Sequence, residues 1–304
     1  MSAPTDAVTG AFGYTGRFIA ERLLAGGRQV RTLTGHPGRP NPFRAHVEVC
    51  PFRFDDPSAM AASLEGVTTL YNTYWIRFPR AGVDFNTAIE HSGALFTAAR
   101  RAGVSRIVHV SITNPSADSP FGYFRGKARV EEALAASGVR WAVVRPTVVF
   151  GRGDVMMNNI AWLLRRFPVF ALPGDGRYEV RPVHVGDVAR LCVEAATAPG
   201  GGVVDAVGPD TFTFAGLVSA IRGAVGSRSL LVPAPTVLVS GLTRLIGLVV
   251  GDVVLTPEEQ AALAAGLVTT SGPTTGHVSL TEWLAAYGPE IGTRYASELG
   301  RHFS

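Results

Sequence analysis

Apolar residues along this chain follow two rhythms. Short, mostly apolar runs predict strands at Asp6–Thr9, Gln29–Leu33, Val47–Phe52, Thr68–Asn72, Arg106–Ser111 and Trp141–Arg145, with Val203–Val207 a candidate seventh. Between them the spacing turns helical. Arg17–Leu24 carries Phe18, Ile19, Leu23 and Leu24; Asp84–Ala102 carries Phe85, Ile89, Leu95 and Phe96 and stops at Gly103. A further helix runs from about Phe121 to Ser137, opened by Ser119-Pro120 and closed by Gly138. Short apolar strands alternating with helices predict a parallel sheet covered on both faces. Ligands of such sheets sit beyond the carboxyl ends of the strands. Here that means just after Thr9, Leu33, Asn72, Ser111 and Arg145.

The alternation stops in Gly151–Arg181 and again from about Pro209. The expected division is therefore a dinucleotide-binding domain of 1–150 plus about 184–208, and a smaller, mainly helical substrate or partner lobe of 151–183 and 209–304. Pro235–Val250 is the most apolar late stretch. It is short for a membrane span and contains Arg244, so a core helix is expected in preference to a lipid-facing one. The docking alternative keeps a protein or membrane-surface partner, or a homodimer, open.

The 304 residues are 46% hydrophobic and 17% charged, enough for a large core. The net charge is +4 and the arginines are scattered, which disfavours a nucleic-acid stripe. Cys50 and Cys192 lie far apart in apolar surroundings, as two buried thiols of a reduced, cytoplasmic protein would. No basic-then-apolar leader precedes residue 8, no transmembrane segment is expected, and no metal-ligand spacing is visible.

Val8-Thr-Gly-Ala-Phe-Gly-Tyr-Thr-Gly16 joins the first strand to the first helix, with Gly10, Gly13 and Gly16 spaced G-x-x-G-x-x-G. One glycine permits positive φ, one lets the backbone approach a pyrophosphate, and one brings the helix close to the strand. The N–H groups at the helix start then hold the anion. An acid ~20 positions past the glycines would select NAD. No Asp or Glu lies between Glu21 and Glu48, whereas Arg22, Arg28, Arg31, Arg39 and Arg44 do. Thr34, Gly35 and His36 follow the second strand, and Arg17 follows the loop; all can meet a 2′-phosphate. NADP(H) is the expected cofactor, with NAD(H) as the alternative.

Tyr123 and Lys127 stand four residues apart on a predicted helix, on the face continued by Val130 and Leu134. An ammonium beside a phenol lowers a pKa that starts near ~10 and fits the tyrosine for proton transfer. Ser111 and Thr113, past the fifth strand, offer a hydroxyl to the same carbonyl.

Thr9-Gly-Ala-Phe-Gly-Tyr-Thr-Gly16, Val108-His-Val-Ser111, Tyr123-x-x-x-Lys127, Val144-Arg-Pro-Thr-Val-Val-Phe-Gly151 and Arg181-Pro-Val-His-Val-Gly-Asp-Val-Ala189 occur in that order. Over roughly residues 5–200 the chain resembles an extended or atypical short-chain dehydrogenase/reductase of the NAD-dependent epimerase/dehydratase-like group. It is also similar to the NAD(P)H-binding accessory subunit of respiratory complex I. The resemblance implies a Rossmann-type doubly wound parallel sheet. It further implies cofactor contacts at Thr9, Gly10, Phe12, Gly13, Tyr14, Thr15, Gly16, Arg17, Thr34, Gly35, His36, Asn72, Thr73, Lys127, Arg145 and Pro146.

Catalysis is expected of Tyr123, Lys127, Ser111 and Thr113, acting by hydride transfer on a carbonyl or hydroxyl of a small-molecule substrate. A nucleotide sugar, a small ketone and a quinone-like compound all suit. The alternative is a weakly active or inactive NADP(H)-binding sensor or structural subunit. Departures from the family pattern are Gly126 before the lysine, Phe52-Arg-Phe54 ahead of Asp55 and Asp56, Ser111-Ile-Thr113 for paired serines, and bulky Tyr74-Trp75 with Arg77 after the fourth strand. Substrate contacts are expected at Tyr74, Trp75, Asn158, Tyr178 and Arg181, with Asn159, Trp162 and Phe170 in the same insertion. His184 and Asp187 read as scaffold, the latter as an N-cap, and His109 as a core histidine.

Overall fold

The computed structural model describes residues 3–303, and each apolar run becomes a strand within it. The chain starts β1 (Thr5–Thr9), α1 (Tyr14–Ala25), β2 (Gln29–Thr34), β3 (Val47–Pro51), α2 (Pro57–Ala62), β4 (Val67–Asn72), α3 (Phe85–Arg101), β5 (Arg106–Val110), α4 (Gly122–Ala135) and β6 (Arg140–Pro146). It continues β7 (Val149–Phe150), α5 (Met156–Arg166), β8 (Val169–Pro173), β9 (Glu179–Val180), β10 (Val183–His184), α6 (Val185–Thr197) and β11 (Gly202–Ala206). The last elements are β12 (Phe212–Thr213), α7 (Phe214–Ala224), β13 (Leu230–Ala234), α8 (Thr236–Val250), α9 (Pro257–Ala264), α10 (Leu280–Tyr287) and α11 (Glu298–Phe303). Two compact units result. One runs to Pro146 and takes in Val185–Ala206; the other comprises Thr147–His184 and the chain from Val207 onward.

The first unit is a seven-stranded sheet in the order β11-β6-β5-β4-β1-β2-β3. Every pairing is parallel. Successive side chains point to opposite faces. Ala7, Leu70, Ile107 and Val143 therefore join Leu95 and Phe96 of α3 and Val130 and Leu134 of α4 in one buried cluster. Val8, Val108 and Val144 are buried on the other face. Strand β5 is buried along its whole length, as a central parallel strand must be. Arg106 opens it, yet is only 3% exposed. Its guanidinium donates to the carbonyls of Ala195, Ala198 and Gly200, tying down the chain between α6 and β11. The chain moves outward one way from β1 through β2 and β3, and the other way from β4 through β5 and β6. The order reverses between β1 and β4, and their carboxyl ends define the crevice for a ligand.

In the second unit β7 pairs with β10 and β8 with β13 in parallel, and β9 with β12 antiparallel. Phe150, Met157, Leu164, Leu217, Ile221, Leu280 and Trp283 share its core. Three expectations change. The stretch read as a core helix forms α8, but most of its large apolar side chains lie on the surface. Asp187 sits inside the first turn of α6 instead of capping it, because the helix already starts at Val185. Cys192 is buried, but Cys50 is only half-buried, because β3 is an edge strand.

Candidate active site at the strand ends

The glycine loop leaves β1 at Thr9. Gly10 takes φ +63, a left-handed conformation that suits glycine. Its N–H donates to Leu33 O (2.8 Å), and Gly13 N–H donates back to Gly10 O (2.8 Å). A Cβ on Gly16 would lie 2.3 Å from Gly10 O and 2.8 Å from Gly10 C. Only a bare backbone lets α1 start this close to the loop. Among the described residues no side chain caps α1, and no acid stands in its first turn. Such a helix start, with its dipole directed at the crevice, is built for a phosphate. The loop therefore fits the diphosphate of a dinucleotide, with Phe12, Gly13, Tyr14 and Thr15 at the turn.

The floor of the crevice is a buried polar ladder. Thr9 Oγ1 donates to Asn72 Oδ1 (3.2 Å) and accepts from Thr73 N–H (2.7 Å). Thr73 Oγ1 donates to Thr9 O (2.6 Å). Asn72 Nδ2 donates to His109 Nδ1 (3.1 Å), which places the ring proton of His109 on Nε2. Burial and the nearby Lys127 charge hold His109 well below its usual pKa, so it is neutral. Thr9, Asn72 and Thr73 thus tie β1 to β4 and, through His109, to β5. Their side chains shape the crevice from beneath.

Helix α4 carries the predicted pair. Lys127 is 3% exposed, and its ammonium donates to Val110 O (2.9 Å) at the end of β5. The same nitrogen stands 4.9 Å from the centre of the Trp75 ring. Burial pushes the Lys127 pKa down to about 7, with Glu131 opposing. Next in the chain after Val110 is Ser111. Its N–H donates to Val144 O (2.8 Å), while its Oγ is buried with no hydrogen-bond partner among the described residues. Thr113 is fully buried, its N–H donating to Pro146 O (3.2 Å). Tyr123 is half-buried, edge-on to Trp75 (5.9 Å between centroids) and Phe85 (6.1 Å).

The depressed lysine has a thermodynamic consequence. Between pH about 7 and 10.5 the unfolded chain holds a proton on Lys127 that the folded chain has released, so wild-type stability rises with pH there. Relative to wild type, Lys127→Met is expected to lose stability as pH climbs through that window. Melting temperatures across the range check this; a difference that ignores pH would show an undepressed amine.

Gly126 has a purpose that the sequence only hinted at. A Cβ there would meet Trp75 Cη2 at 2.7 Å and Cζ2 at 2.9 Å. Trp75 in turn stacks on Phe85 (5.9 Å). The glycine thus seats an indole instead of leaving space for a ligand. Its cost of ~1 kcal/mol in a helix interior was the available sign that something packs there. Tyr74 hydrogen-bonds His91 Nδ1 (2.8 Å) beside Phe52 and Phe54, so these aromatics close the chain after β3 and β4. Asp56 caps α2 through Ser58 N–H and Ala59 N–H.

Several charged candidates are engaged elsewhere. Arg145 forms a two-point pair with Glu131 (3.0 and 2.5 Å). In the arginine-rich window, Arg28 clasps buried Asp6 and Arg31 pairs with Glu48. Arg17 makes an exposed pair with Glu21 (2.9 Å), a contact weak enough to exchange for a phosphate. Thr34 Oγ1 accepts from His36 N–H (3.1 Å), and a Cβ on Gly35 would meet nothing within 4 Å.

In the second unit Arg181 donates to Thr270 O, Gly272 O and Thr274 Oγ1. Asn158 donates to Arg294 O and accepts from Gly292 N–H. Both hold loops of their own unit. Tyr178 stacks on Phe214 (5.2 Å) with its hydroxyl buried. Asn158 also lines a cavity of about 230 Å³ with Asp154, Trp283 and Tyr295, none of which the sequence singled out.

Residues 10–199 match the family described as NAD(P)H-binding. The chain belongs to that family. An Arabidopsis thaliana relative, the mitochondrial NADH dehydrogenase [ubiquinone] 1 alpha subcomplex subunit 9, is 27% identical over 224 residues, 70% of this chain. The chain spans 56% of that relative's length. Among solved structures, a triphenylmethane reductase of Citrobacter sp. aligns with a TM-score of 0.77 at 15% identity, covering 94% of this chain and all of that one. An NADPH-dependent quinone oxidoreductase of Escherichia coli, complexed with NADPH, aligns with a TM-score of 0.74 at 19% identity, covering 92% and 98%. At such identities these two share the fold of the family member described here.

Proposed function

We propose that the protein is an NADPH-dependent oxidoreductase that reduces a carbonyl, or oxidises the matching alcohol, of a small-molecule substrate. The observation that carries this reading is Ser111 Oγ, buried without a partner among the described residues, one residue past the carbonyl that binds Lys127. An unsatisfied buried hydroxyl is costly, and one at the strand ends suits a hydrogen bond to a ligand oxygen. The fold of the two solved reductases supports the class of chemistry.

The bound nicotinamide cofactor would supply the hydride. The loop from Gly10 to Gly16 and the start of α1 would hold its diphosphate, and Lys127 its nicotinamide ribose. Tyr123 would donate its phenolic proton to the substrate oxygen as the carbon is reduced, and take it back in reverse. Lys127 in its ammonium form would stabilise the phenolate left behind. Ser111 would donate a hydrogen bond to the same oxygen and fix its position, with Thr113 as the neighbouring hydroxyl.

Preference for NADPH rests on the end of β2 and the chain just after it. Thr34, Gly35 and His36 present no carboxylate to repel a 2′-phosphate, and Arg17 can turn from Glu21 toward it. Titration by nicotinamide fluorescence is expected to give at least tenfold tighter binding of NADPH than of NADH, about the worth of one charge-assisted contact. Equal binding, or tighter NADH, would overturn the preference. Loss of nicotinamide absorbance with a panel of ketones, quinones and nucleotide sugars tests turnover.

A second reading is favoured by one feature. Trp75 lies over Lys127 and against Gly126, where a substrate carbonyl would otherwise approach. A site so covered suits a protein that holds the cofactor without turning it over, as a sensor or subunit. Tight NADPH binding with no turnover on the whole panel would support it.

A further inference from the structure

The helix of the second unit that contradicts its expected place is the most informative surface on the molecule. Helix α8 turns Ser240, Thr243 and Gly247 inward. Ser240 Oγ meets Gln260 Oε1 (3.3 Å), and Thr243 bonds within the helix. Gly247 packs so closely on the following loop that a Cβ would lie 2.6 Å from Asp252 O. Val239 is the one bulky side chain of the helix that is buried. The outward face is aliphatic. Val237 is 83% exposed, Leu245 62%, Leu248 75% and Val249 86%, with Leu238 and Leu242 beside them. At 100° per residue these six fall within one stripe of the helix. The usual polarity of a surface helix is reversed.

We infer that α8 docks the protein on an anionic lipid bilayer, lying flat in its interface. Charge supports a bilayer. Helix α8 itself carries Arg244 and no acid, and the acid of the loop that follows it, Asp252, is buried. Arg244 borders the aliphatic stripe and is exposed, placed to reach lipid phosphates while the leucines enter the acyl boundary. The composition also disfavours a protein partner. The stripe has no aromatic anchor, and leucine and valine are under-represented among the residues that dominate protein interfaces. Fifteen residues span about 22 Å, short of the ~30 Å hydrocarbon core. No helix among the described residues is long and apolar enough to cross a membrane, so the contact is peripheral. The inference stands apart from any turnover at the strand ends.

Flotation with vesicles tests it on the whole protein. The wild type is expected to float with phosphatidylcholine vesicles containing phosphatidylglycerol, less with phosphatidylcholine alone, and less as salt rises. Leu245→Glu with Leu248→Glu is expected to weaken binding at least about tenfold, at an unchanged melting temperature, because both side chains already face solvent. Arg244→Ala is expected to reduce the preference for the anionic vesicles. Absence of wild-type binding to either vesicle would overturn the inference, as would equal binding by the double variant. A concentration-dependent dimer that the double variant abolishes, with no vesicle binding, would assign the face to a second copy of the chain.

Discussion

Tyr123→Phe is expected to lower kcat for carbonyl reduction by about 10²- to 10⁴-fold, the usual worth of a positioned general acid. NADPH affinity should stay within about twofold, because only an oxygen is removed. The ring keeps its edge-on packing against Trp75 and Phe85, so the helix has no reason to move. Lys127, on the same face of α4, retains its bond to Val110 O. Steady-state kinetics on any substrate found in the screen, beside an NADPH titration, separates the two quantities. Unchanged turnover would remove Tyr123 from the chemistry. A parallel loss of NADPH binding would mean that the phenol holds the cofactor instead.

Gly16→Ala is expected to raise the Kd for NADPH at least a hundredfold and to lower stability by about 1–3 kcal/mol, the range for forced overpacking. The added methyl would stand 2.3 Å from Gly10 O and 2.8 Å from Gly10 C. Both are backbone atoms, so no side chain can swing aside. Relief requires α1 to retreat from the loop, and in the proposed reading the helix start is what would grip the diphosphate. Gly93→Ala in α3 is the control. A Cβ there meets nothing within 4 Å, and replacing a helical glycine is expected to stabilise the fold by about 0.5–1 kcal/mol. Thermal melting and fluorescence titration of both variants check the pair. A Gly16→Ala protein that binds NADPH like the wild type would show that the diphosphate lies elsewhere.

The strands were legible because a buried parallel strand has no solvent face and reads as an unbroken apolar run. β2 and β4 to β6 each match their expected runs within a residue or so, and Gly103 and Gly138 lie just past α3 and α4. The glycine loop was legible for a similar local reason, since each glycine answers a backbone demand within a few residues. The six-residue helix α2 is too short to show an apolar period, and only Asp56 and Pro57 signal it, as N-cap and first-turn proline. The ladder under the crevice joins Thr9 to Asn72, 63 positions apart, and no local pattern encodes such a pairing.

The sequence by itself determined the doubly wound sheet, the glycine turn from β1 into α1 and the shared face of Tyr123 and Lys127. These follow from periodicity and from turn chemistry, which are short-range. Tertiary structure alone decided which charges were already engaged. Arg28 and Arg31 read as cations of the acid-free window and Arg145 as a cofactor contact, and each ends beside an acid brought from another element. It decided that Gly126 exists for the Trp75 ring, which arrives from the end of β4. It also decided the direction in which α8 faces. An apolar stripe looks the same in sequence whether it meets a core or a bilayer, and only the packing of Ser240 and Gly247 against the protein turned the leucines outward.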